Sequence, residues 1–211
     1  MSRTFLILHG VNGSGLGHWQ TLLAQHLRQR GETVFYPELS GKEEPDLRVW
    51  LKELREHIAA VPDVANLTVV CHSLSCILWL HHAQDRSFAP VGRAILVAPP
   101  GPSIVEEFRP TFHPVPMDAE NLHRSARHLL LVCTNGDPRC PEKAALCYGR
   151  ELAVDTVLLP DEAEHINSAS GFGEWPGMAA LCLAPGLNAN LLQPAAAKKA
   201  AEQRAPSMRE S

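Results

Sequence analysis

The chain opens without a long apolar run. MSRTFLILHG holds one arginine and only four consecutive apolar residues, Phe5 to Leu8, too short for a signal-peptide core or a membrane span, so a cytoplasmic location is expected. An excess of one charge is missing too. With 19 Lys and Arg interspersed among 23 Asp and Glu, the formal net charge is -4, which leaves no electrostatic footprint for nucleic acid or an anionic membrane. No CxxC pair occurs among the six cysteines; without a secretory signal they read as small buried thiols rather than disulfides. His81, His82, His113, His123 and His128 lack Cys, Asp or Glu partners at metal-ligand spacing, so no metal and no cofactor are expected. Internal repeats are also absent.

What is present is enough apolar residue for one core. At 211 residues, 45% of them hydrophobic, a single domain buries roughly 70% of its unfolded surface. Short runs rich in Val, Ile and Leu at Phe5 to Leu8, Thr33 to Tyr36, Leu67 to Cys71, Ala94 to Ala98, Leu129 to Thr134 and Thr156 to Leu159 do not alternate with polar residues. That is the pattern of parallel strands buried on both faces. Helical patterns lie between them at Trp19 to Arg30, Leu47 to Ala60, Ser75 to Ala83 and Pro141 to Leu152. The alternation predicts an α/β fold: right-handed βαβ units forming a mostly parallel six-stranded sheet with helices on both faces. Pro99 to Asp118 carries six prolines and is expected to be an irregular loop over one sheet edge, with at most a helical turn near Ile104 to Phe108. The expected domain spans residues 1–184, and residues 185–211, rich in Ala, Lys and Gln, read as a solvated tail.

The stretch LTVVCHSLSCILWL, Leu67 to Leu80, passes abruptly from strand to helical pattern at Cys71-His72-Ser73-Leu74-Ser75. Functional groups of open parallel sheets gather at the carboxyl ends of the strands, and a serine there suits a nucleophile elbow, whose tight turn demands small neighbours two residues away on each side. Cys71 and Ser75 are small, though the usual residue is glycine. The alternative reading of Ser73 is a helix N-cap. A serine nucleophile needs a base held by a third group, and two later strand ends offer them in the order Ser, Asp, His. HLLLVCTNGDP brings Asp137 after one strand, and VLLPDEAEHINSASGFGEWP brings His165 after the last. Asp137 also reads as an ordinary turn residue and N-cap, and His165 as a solvated loop histidine. The glycine-rich turn His9-Gly10-Val11-Asn12-Gly13-Ser14-Gly15 suits an oxyanion site built from backbone NH groups of Val11 and Asn12 together with Leu74. Its glycine spacing is in the wrong order for a dinucleotide loop. Trp19 and His18 are expected to pack the first helix against this turn, with His18 open to the site mouth, and Trp175-Pro176 to fix the loop after His165.

Four stretches carry a resemblance: LHGVNGSGLGHWQ (Leu8 to Gln20), VVCHSLSC (Val69 to Cys76), NGDPRCP (Asn135 to Pro141) and EHINSASGFGEWPG (Glu164 to Gly177). Through them the chain resembles the small serine hydrolases of the α/β-hydrolase superfamily that include retinoblastoma-binding protein 9 and its bacterial relatives. The resemblance implies a compact α/β-hydrolase fold without a lid domain, with Ser73 as nucleophile, Asp137 as acid and His165 as base. Departures are Cys71, Ser75 and, before the base, Glu164, where glycine is more usual. The implied function is a metal-independent, carboxylesterase-like serine hydrolase acting on a small ester or amide through an acyl-enzyme. The alternative is a binding module of the same fold with weak turnover, for which a protein partner is left open.

Overall fold

The structure is a computed structural model and describes residues 2–192. Six strands, β1 Thr4–Leu8, β2 Thr33–Phe35, β3 Leu67–His72, β4 Val91–Val97, β5 Ala126–Thr134 and β6 Thr156–Leu159, form one sheet. All are parallel, in the order β2-β1-β3-β4-β5-β6. The α-helices among the described residues are α1 Trp19–Gln29, α2 Leu47–Ala59, α3 Leu74–Ala83, α4 Pro102–Phe108, α5 Ala119–Ser125, α6 Glu142–Glu151 and α7 Pro176–Leu183. None is long and apolar enough to cross a membrane.

The lack of alternation in the strand sequences has its cause in two cores. Along β1, Phe5 and Ile7 pack on one face with Trp19, Leu23 and Leu27 of α1 and Met178 and Leu181 of α7. Leu6 and Leu8 pack on the other with Trp50 and Leu54 of α2, Ile77 and Trp79 of α3 and Tyr148 of α6. Where the inner strands run between the two cores they therefore have to be apolar on both sides. The chain leaves β1 for β2 at one edge and then crosses back to place β3 on the other side of β1. That reversal opens a crevice beyond the carboxyl ends of β1 and β3, where Gly10 and Ser73 follow their strands.

Three departures from the sequence pattern have physical causes. Pro99 to Asp118 is more ordered than an irregular loop: it forms α4 and a 3-10 turn at Pro110–Phe112. Pro102 and Pro110 sit in first turns, where a missing NH costs nothing, and Pro176 starts α7 likewise. Helices α5 and α7 have no counterpart among the expected elements. Residues 185–192, expected as the start of a solvated tail, pack on the domain instead: Leu187 and Leu191 lie against the α7-side core and Leu192 is buried. Gly177 permits that approach: a Cβ there would lie 2.4 Å from the Leu191 carbonyl oxygen. The rest of the expected tail, residues 193–211, lies outside the described residues.

Candidate active site

Ser73 stands between β3 and α3 with φ 57° and ψ -125°, a conformation that an L-residue holds only when its surroundings impose it. Its NH donates to the Val97 carbonyl at 2.9 Å, continuing the ladder with β4 for one more residue before the chain turns. Directly across, Gly10 leaves room for it; a Cβ on Gly10 would meet Ser73 Cβ at 2.7 Å. Ser75, where glycine is usual, is fully buried and uses its hydroxyl: Oγ accepts from the His72 NH at 2.9 Å and lies 2.8 Å from the Leu8 carbonyl. The elbow thus forms with Cys71 and Ser75 in place. Burial pushes the Cys71 thiol up, which keeps it from competing as a thiolate.

Although Ser73 occupies the N-cap position of α3, its hydroxyl makes no capping bond; it lies 2.9 Å from His165 Nε2. On the other side of the ring, His165 Nδ1 is 2.7 Å from Asp137 Oδ2. A carboxylate only accepts, so Nδ1 carries the proton, and the Nε2 lone pair faces the hydroxyl. Asp137 serves its turn as well, since Oδ1 accepts from the Arg139 NH at 2.8 Å. The turn reading of that aspartate holds through Oδ1, the N-cap of α6 being Pro141 instead, and Oδ2 is left to the imidazole. The Asp137 and His165 side chains are 1% and 6% exposed.

The loop carrying His165 is held by three carbonyl contacts in succession. Thr134 Oγ1 donates to the Glu164 carbonyl, His72 Nε2 to the His165 carbonyl at 3.1 Å, and the Trp19 indole to the Ile166 carbonyl at 2.8 Å. Glu164 and Ile166 sit at φ 40° and 50°, so those bonds hold strained backbone. Trp19 therefore packs toward the base loop, with Trp175 edge-on to it at 5.3 Å. The HINSAS run explains itself locally. Asn167 accepts from the Ala169 and Ser170 NH groups while its own NH donates to Ser170 Oγ, a reciprocal capping box.

His72 and His18 line up behind the base, with ring centroids 5.2 Å from His72 to His165 and 5.0 Å from His18 to His72. Burial, then the charge of the His165 ring, holds His72 well below the ordinary imidazole value and His18 down to about 4. Both are neutral near pH 7. His9 is neutral also, lowered first by burial; the Leu39 NH donates to its Nε2, so its Nδ1–H donates to the Gly10 carbonyl at 2.7 Å.

The glycine turn follows with Asn12 and Gly13 both at positive φ. One expected oxyanion donor is corrected here. The Asn12 NH donates to the Lys42 carbonyl at 2.8 Å and is not free. The Val11 NH meets no acceptor among the described residues, and Leu74, first residue of α3, has no intrahelical partner for its own. Gln20, which carries no functional signal in the sequence, ties this turn to α1: Nε2 donates to the Leu8 carbonyl and Oε1 accepts from Ser14 Oγ. Ser73, His165, Val11 and Leu74 share a cleft of about 510 Å³ that Ile104, Val105 and Phe108 of α4 also line.

With a serine–imidazole–carboxylate chain at the strand ends, the arrangement suits proton removal from a hydroxyl. The serine hydrolase family profile matches residues 5–183. The chain belongs to that family. The ydeN gene product of Bacillus subtilis has a similar structure, with 20% identity, a TM-score of 0.75, and coverage of 85% of this chain and 96% of that one. A putative YdeN-like hydrolase of Pectobacterium atrosepticum aligns with 20% identity and TM-score 0.68, covering 91% and 94%. The esterase domain of a Rhodothermus marinus protein aligns with 18% identity and TM-score 0.60, covering 85% and 83%. At these identities the likeness is one of fold: this serine hydrolase family member has the α/β-hydrolase architecture. No curated protein matches the sequence.

Proposed function

We propose that the chain hydrolyses small esters, or amides of similar size, through Ser73, His165 and Asp137. His165 Nε2 takes the Ser73 proton as Oγ attacks the substrate carbonyl carbon. The amides of Val11 and Leu74 stabilise the oxyanion, and Asp137 steadies the imidazolium through Nδ1–H. His165 then protonates the leaving alcohol, and water, deprotonated by the same imidazole, releases the acyl group from Ser73. The observation that carries this reading is the pair of short contacts, 2.9 Å from Ser73 Oγ to His165 Nε2 and 2.7 Å from Nδ1 to Asp137 Oδ2. The esterase named among the similar folds agrees with an ester substrate. Among the described residues, α4 and Arg109 after it are the cover that the cleft has from the Pro99 to Asp118 segment, together with Pro100, and so small a cover favours short acyl chains over triglyceride.

Hydrolysis of 4-nitrophenyl butyrate by the purified protein tests the reading. Ser73→Ala, His165→Ala and Asp137→Asn are each expected to lower kcat by about 10³-fold or more. A wild type without turnover, or a Ser73→Ala protein with undiminished turnover, overturns it.

A further inference from the structure

The cleft is cationic although the chain is acidic. Arg109, at the end of α4, and Arg139, in the turn after Asp137, both line it, and no Asp or Glu does. Outside the cleft, Arg55 pairs with Asp85 at 3.2 Å, Arg86 with Glu120 at 3.0 Å and Arg150 with Glu151 at 2.7 Å, while the buried Arg93 spends its guanidinium on Thr68 Oγ1 and the Cys182 carbonyl. Among the described residues neither Arg109 nor Arg139 has a carboxylate partner. Arg109 spends Nη1 on the carbonyl of its neighbour Phe108 and keeps a buried Nε with no acceptor. The charge of Arg139 reaches the site: after burial and the neighbouring rings, it is a further cause of the lowered pKa of His72. With His18 and His72 neutral, the two guanidiniums are the fixed positive charges of the cleft wall. The same cleft is lined by Ile104, Val105 and the half-exposed Phe108 of α4.

We infer that the cleft selects esters carrying a carboxylate on the acyl or the alcohol part, with Arg109 and Arg139 as the specificity-determining residues and the α4 side chains holding the apolar spacer. A guanidinium offers a carboxylate two parallel donors, and its charge attracts anions into a concave site even when the net charge of the molecule opposes them. The inference rests on the hydrolase reading above for turnover but not for binding.

Two substrate pairs test it. Mono-4-nitrophenyl glutarate against 4-nitrophenyl valerate puts the charge on the acyl side; 4-acetoxybenzoate against 4-acetoxybenzamide puts it on the alcohol side. In at least one pair the wild type is expected to prefer the anion by about tenfold in kcat/KM, the worth of one charge-assisted hydrogen bond. The double variant Arg109→Gln/Arg139→Gln brings that ratio close to one. In the wild type the ratio also falls as salt is raised from about 0.05 to about 0.5 M, a readout that needs no folded variant. Equal kcat/KM within both pairs, or a preference that survives the double variant and high salt, overturns the inference. Binding of the same esters to Ser73→Ala protein separates the two readings. If the wild type turns over no ester while Ser73→Ala still binds the anions more tightly, the hydrolase reading fails and the anion site stands. If charged and neutral esters turn over equally well, the anion site fails and the hydrolase reading stands.

Discussion

At the scale of single residues, the site depends on very short approaches that leave no spare volume. Gly10 touches the elbow so closely that an added methyl group would sit 2.7 Å from Ser73 Cβ. Gly10→Ala is therefore expected to fold and to lose about 10²-fold in kcat, as displacements of about 1 Å at a reacting atom do; unchanged kcat would show that the elbow tolerates the shift. Ser75 shows how a departure from the usual glycine is accommodated, its hydroxyl being built into the turn. Ser75→Ala leaves the buried His72 NH without its acceptor and should cost about 1–3 kcal/mol of stability, measured by urea unfolding. Ser73, Asp137 and His165 are legible in the sequence because each follows a strand and the three come in hydrolase order. His72 and Thr134 are not, and Trp19 is legible only as a packing residue. Each holds a carbonyl of the His165 loop from far along the chain, a relation without local signature. The Asn12 amide differs from its expected role for a similar reason, since its acceptor on Lys42 is thirty residues away.

At the scale of elements, the six strands and the helices α1, α2, α3 and α6 are legible to within a few residues, because burial on both faces and amphipathic spacing leave plain patterns. The helices α4, α5 and α7 are not. α4 and α7 begin with proline, which reads as a breaker unless its first-turn position is known, and α7 lacks a polar face along Met178–Leu183. The loop after His165 is the element whose placement matters most to the chemistry. Trp19→Phe keeps the aromatic packing against Trp175 but deletes the indole donor to Ile166, so kcat should fall by about tenfold to a hundredfold with KM little changed; an equal change in both parameters would point to a general loosening. The segment after α7 behaves as part of the core. Leu192→Ala should destabilise the protein by about 2 kcal/mol or more, whereas a solvated tail residue would register no loss.

At the scale of the whole molecule, the reversal of strand order between β1 and β3 makes the crevice, and backbone strain collects there. Of the six non-glycine residues at positive φ among the described residues, five (Asn12, Ser73, Ala98, Glu164 and Ile166) lie beyond the carboxyl ends of the strands. The molecule also buries several neutral imidazoles. His18 and His82 are lowered to about 4, foremost by burial, and His72 is lowered well below its ordinary value for the same first reason. Unfolded, these groups take up protons near pH 6.5; folded, they resist until much lower pH. Stability contributed by their neutral state is complete above about 6.5 and lost as pH falls toward about 4. The urea midpoint should thus be lower at pH 5 than at pH 7.5, with a shallower dependence in His82→Gln; a flat profile would contradict the burial argument. The central claim is that Ser73 is the activated nucleophile, and active-site labelling with a fluorophosphonate followed by peptide mass mapping tests it most directly. The expected result is one adduct, on Ser73, abolished in Ser73→Ala and strongly slowed in His165→Ala. Absence of label on the wild type, or an adduct on another residue that persists in Ser73→Ala, would contradict it.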